Sequence, residues 1–148
     1  MKTITHLRNS EFIRACRRIA RAEQGNHIPL TTRRLAVLAV YSRASSYYIS
    51  YARAYNLVLD YLKLDEVARE RLPHSSMATR TRHLATEAER VAASKGVSLR
   101  AALTAVVAGG APRFYISIPY AMRLINRYLP HRVLYRTETV LDEGGASC

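Results

Sequence analysis

Lysine is almost absent from this chain. Of its 23 basic residues only Lys2, Lys63 and Lys95 are lysines, and the other 20 are arginines. A surface charged merely for solubility has no need of that preference. The planar guanidinium fork, by contrast, grips phosphate or carboxylate in two places and stacks on rings, which suits a nucleic-acid partner. A GC-rich genome generates the same bias with no function attached. Cysteine is scarcer still, with Cys16 on an inward helix face and Cys148 at the last position. That pair excludes a disulfide framework and argues against an oxidising compartment. Long apolar runs are missing too: LAVLAV and AALTAVVAGGA are too short to cross a bilayer, and MKTITHLRNSEF lacks the apolar core of a secretory signal. The expectation is a cytoplasmic protein with no membrane partner.

The groups that carry catalysis are equally thin. His6, His27, His74, His83 and His131 are never paired at metal-ligand spacing, no HExxH occurs, and the two cysteines form no CxxC. No metal or other cofactor is expected. AGGAPRF has a glycine pair but neither the lysine nor the preceding strand of a phosphate-cradling loop, and reads as a helix stop. Asp60, Glu66, Glu87 and Glu89 fall on outward helix faces, as solvated partners for arginine, whereas acid–base catalysis wants carboxylates held in a cleft. Ten tyrosines raise the idea of a DNA-cleaving tyrosine nucleophile, but RVLYR at 132–136 is the only close grouping of the basic groups such a reaction needs. The chain reads as a non-enzyme.

What the sequence does contain is an echo. SYYISYARAYNLVLDYL, Ser46 to Leu62, returns as RFYISIPYAMRLINRYL, Arg113 to Leu129, at an offset of 67. The two agree at Tyr48/Tyr115, Ile49/Ile116, Ser50/Ser117, Ala54/Ala121, Leu57/Leu124, Tyr61/Tyr128 and Leu62/Leu129, seven of 17 positions; background usage gives roughly one. In each copy YIS reads as a helix entry, an apolar anchor followed by a serine that satisfies free first-turn amides.

Periodicity fills in the rest. A helix over about Ser10–Glu23, capped by Asn9 or Ser10, turns Phe12, Cys16, Ile19 and Ala20 inward and Arg14, Arg17, Arg18 and Arg21 outward. Thr31 or Thr32 caps a second helix, apolar nearly all round from Leu35 to Val40 and therefore expected to be buried. A third runs from Ser50 to Leu62, and LDEVARERL makes a short linking helix that Pro73 stops. Ser75 or Ser76 then starts a helix with a Met77, Thr81, Leu84, Ala88, Val91 stripe, ended by Gly96; VSLRAALTAVVA is a second buried helix; and Ser117 caps the last one, with Pro119 in its first turn and Pro130 beyond its end.

The fold expected is all-α: two tandem three-helix units, 1–72 and 73–138, duplicated at the offset of 67 and packed into one helical body, with a flexible acidic tail over 139–148. Paired helices in this order are similar in general plan to helix-turn-helix proteins, although the link from Tyr41 to Ser50 is far longer than the tight turn of that motif and holds no glycine. The formal charge is +12, and division after Glu66 leaves +6 on each side. The leading expectation is a small basic DNA-binding protein, regulatory or architectural. Its candidate nucleic-acid-binding residues are Arg14, Arg17, Arg18, Arg21, Arg33, Arg34, Arg43, Arg123, Asn126 and Arg127. These types grip phosphates and, on the last helix, are able to read base edges. The competing expectation is a helical component of a protein assembly or homo-oligomer, because arginine and tyrosine also dominate protein interfaces.

Overall fold

The structure, a computed structural model, describes residues 2–130; RVLYR, His131 and the 139–148 stretch lie outside them. Seven helices make up the described chain: α1 Ile4–Ala22, α2 Thr32–Val40, α3 Tyr51–Leu62, α4 Glu66–Glu70, α5 Ser76–Lys95, α6 Leu99–Ala108 and α7 Ile118–Tyr128. The fold is all-α, and no strand occurs among the described residues. No single helix there is long and apolar enough to cross a membrane.

Every helix starts on a side chain that accepts a hydrogen bond from the backbone N–H three residues on: Thr3, Thr31, Ser50, Asp65, Ser75, Ser98 and Ser117. Such a cap is worth about 1 kcal/mol, so the seven starts are strongly specified. Gly96 closes α5 in the left-handed region at φ 62, where a side chain would be strained. The YIS entries form as expected. Ser50 receives the Arg53 N–H at 3.3 Å and Ser117 the Tyr120 N–H at 3.2 Å, and Ile49, Ala54, Ile116 and Ala121 are all buried. Tyr48 adds a kink at φ 55, held by its N–H to Ser46 Oγ at 2.9 Å and by Arg80 donating to its carbonyl at 3.3 Å.

Three readings of the sequence need correction. The first helix begins at Ile4, not near Ser10, because Thr3 caps it by accepting from the His6 N–H at 3.1 Å. Asn9 and Ser10 are therefore interior. The early turns hid themselves because Ile4 and Leu7 are each 46% exposed and show no inward stripe. The second helix is not buried all round either: Leu35, Ala36, Ala39 and Val40 are, but Val37 faces solvent. On α5, Met77 is exposed and Arg80 is buried in its stead.

The helices sort into two packed units that cut across chain order. One comprises the residues up to Ser42 and those from Ile116 on; the other is Arg43–Tyr115. In the first, α2 lies against α1 and α7, and α1 also meets α7. Its buried set includes Phe12, Ile13, Cys16, Leu35, Val40, Leu124 and Ile125. Burial pushes the Cys16 thiol up to about 12, with Arg17 opposing weakly, so it stays protonated and unreactive. In the second unit α5 packs on α6 and α3 on both, around Val58, Leu84, Ala88, Leu103 and Phe114. Helix α3 thus packs with α5 and α6, and α7 with α1 and α2, so each joins helices from the opposite end of the chain. Within the second unit the stretches before α3 and before α7 pair at Ala44 and Ala111, which exchange hydrogen bonds at 3.0 and 2.9 Å.

Candidate nucleic-acid interface

Helical geometry puts residues three and four apart on one face. On α1 this gathers Arg14, Arg17, Arg18 and Arg21 opposite buried Phe12, Ile13, Cys16 and Ala20, and all four arginines are exposed. None of the four belongs to an ion pair among the described residues, where the pairs are Arg34 with Glu23 and Arg90 with Glu87. On α7 the same geometry groups Arg123, Asn126 and Arg127, all exposed, opposite buried Ala121, Leu124 and Ile125.

The two basic helices meet in the first unit, and a network fastens them. Asn9 Nδ2 donates to the Tyr120 hydroxyl at 3.0 Å, while Arg8 donates to Asn9 Oδ1 from Nε at 3.1 Å and from a terminal nitrogen at 3.0 Å. Tyr120 lies between two guanidiniums, Arg8 at 5.5 Å and Arg123 at 5.6 Å from the ring centroid. Burial draws the Arg8 pKa down, and Tyr120 opposes the shift; a guanidinium so far above neutrality keeps its charge. Arg127 stacks similarly on Tyr128 at 5.3 Å. Such cation–π contacts restrict the two outward arginines of α7 to few orientations.

The remaining candidates divide. Arg33 is exposed at the start of α2. Arg34 instead donates to Glu23 Oε2 at 2.9 Å, with both side chains mostly covered, and ties the start of α2 to the end of α1. Arg43 belongs to the second unit, where with Tyr47, Glu87, Lys95 and Gly110 it borders a groove of about 530 Å³. The first unit therefore brings together nine of the ten candidate residues.

Charge follows the same division. The described part of the first unit carries ten basic and two acidic residues, a balance of +8; the second carries eleven and six, a balance of +5. The even split along the sequence becomes uneven in space because α7 brings Arg123 and Arg127 to the unit of α1.

The second unit holds a cluster of perturbed titrating groups. Tyr47 and Tyr115 stack with ring centroids 5.7 Å apart, and the Tyr115 hydroxyl meets His83 Nδ1 at 2.6 Å. Burial raises the Tyr115 pKa, and Tyr47 adds to the rise against Arg113 and Arg80. Burial also lowers that of His83, aided by Arg113 and Arg82. A neutral His83 accepting from a neutral tyrosine is the arrangement these shifts favour. No group of three or more His, Cys, Asp or Glu is placed to hold a metal among the described residues.

Sequence reasoning missed Arg8, Asn9 and Tyr120. Asn9 carried a cap signal, but its partner lies 111 residues away. No family model matches this chain, and no curated protein or solved structure does either.

Proposed function

We propose that the protein is a small, non-enzymatic DNA-binding protein that lays α1 and α7 along the phosphate backbone. One observation carries this reading: the first unit concentrates a balance of +8, with the four outward arginines of α1 outside any ion pair among the described residues. Exposed like charges at three- and four-residue spacing disfavour a helix by a few tenths of a kcal/mol per pair, so the face is better suited to an external polyanion than to stability.

Internal duplication belongs to the same proposal, with 1–72 and 73–138 as the copies. The offset of 67 sets cap Thr31 on cap Ser98 and cap Ser50 on cap Ser117, and it sets Ala44 on the residue it pairs with, Ala111. The copies have diverged in charge: where α7 shows Arg123, Asn126 and Arg127, α3 has Asn56, Leu59 and Asp60. One copy has kept or acquired a DNA face that the other lacks.

The test is duplex binding by the full chain over a salt series. Affinity should fall linearly on a log–log plot, by about 0.9 per phosphate contacted. Absence of binding at low salt, together with a discrete oligomer that survives nuclease treatment, would replace this reading with an assembly role.

A further inference from the structure

Building on the DNA-binding reading, we infer that α7 is a base-reading helix that enters the major groove, with Asn126 as the residue that sets sequence preference. Asn126 is the exposed carboxamide of α7 and follows Arg123 by three residues and precedes Arg127 by one. A carboxamide both donates and accepts, and so matches the paired donor and acceptor that adenine shows in the major groove; a guanidinium offers donors alone. The neighbouring arginines stack on Tyr120 and Tyr128, at 5.6 and 5.3 Å, which sets them as phosphate clamps beside the amide.

Rigidity supports the assignment. Reading a base edge needs a helix held at a fixed depth and angle, and α7 is fixed along its length. Ser117 caps its start, Tyr120 is bonded to Asn9 of α1, and Ala121, Leu124 and Ile125 are buried beneath it. An α-helix with its side chains is about 10–12 Å across, close to the roughly 12 Å width of the major groove. Helix α3, the corresponding helix of the other copy, exposes Asn56 and Asp60 instead, and its carboxylate would face phosphate unfavourably. Base reading is therefore assigned to one helix, and a half-site rather than a symmetric pair of contacts is expected within one chain.

The experiment is cyclic selection of a duplex pool with a randomised centre by the full-length chain, followed by affinity measurement on the enriched and a scrambled duplex. The expected result is a short enriched motif containing an adenine. Asn126→Ala should lower the ratio of the two affinities by about tenfold, whereas Arg14→Gln with Arg17→Gln should weaken both duplexes and keep the ratio. Salt-dependent binding with no enriched motif, or a ratio that Asn126→Ala leaves unmoved, overturns the base-reading role while leaving the DNA-binding reading in place. Preference for single-stranded RNA over duplex overturns it as well, and failure to bind any duplex at low salt removes both.

Discussion

Replacing Arg14, Arg17, Arg18 and Arg21 together with glutamine should make the protein more stable and a poorer DNA binder. The four form like-charge pairs at 14/17, 14/18, 17/21 and 18/21, all at three- or four-residue spacing on the exposed side of α1. Each such pair costs about 0.2–0.5 kcal/mol, and glutamine matches arginine in helix propensity, so the variant should gain about 1 kcal/mol. For a chain of this size that is a rise of about 3 °C in Tm. Binding moves the other way. Arg14 and Arg21 lie about 10 Å apart along the helix, a length over which duplex DNA presents about six phosphates on its two strands. Four contacts are thus geometrically available, and their loss lowers the log–log salt slope by about 3.6. Between about 50 and 200 mM salt, the wild-type affinity should then fall about 150-fold further than that of the variant. Thermal melts and fluorescence anisotropy on a labelled duplex read the two effects separately. An unchanged slope refutes phosphate contact by this face, and a Tm that drops shows that the arginines hold the fold.

Cleavage at a protease site built into the loop between α4 and α5 should leave two fragments that co-elute, since each retains a helix packed in a unit made mainly by the other; their separation would refute the exchange of α3 and α7. Phe12→Ala should cost about 3–5 kcal/mol in denaturant unfolding, because the ring is fully buried and its cavity cannot refill, and a loss below about 1 kcal/mol would contradict that packing. Gly110→Ala should lose about 1 kcal/mol or more: the added Cβ would stand 3.2 Å from the Ala44 carbonyl oxygen, which is already engaged by the Ala111 N–H. His83 is held below its ordinary 6.5, so the unfolded chain takes up its proton at higher pH than the folded one. The stability due to that difference is present above 6.5 and is lost as pH falls toward the folded value; melts from pH 7.5 to 5.5 should show the decline in wild type and a shallower one in His83→Gln.

The positions of α2, α3, α5 and α7 were legible because a Ser or Thr cap coincides with the onset of an apolar stripe at Thr31, Ser50, Ser75 and Ser117. The start of α1 was not, since exposed Ile4 and Leu7 give its first turns no stripe. Pairing was illegible for a deeper reason. Ala54 and Val58 on α3, and Ala121 and Ile125 on α7, present nearly interchangeable buried faces. Periodicity says that a face is buried, never against what. The contacts that identify the partner are long-range and polar: Asn9 with Tyr120, Arg80 with the Tyr48 carbonyl, His83 with Tyr115. Such residues look like cap, solvated charge and core aromatic when read singly. Their pairing decides where the charge lies, because α3 packed with its chain neighbours α1 and α2 would leave α1 beside Asp60 and would part the arginines of α1 from those of α7. The concentration of positive charge in one unit is therefore a property of the exchange, and it is lost in any arrangement that keeps the same helices but returns each to its neighbours in the chain.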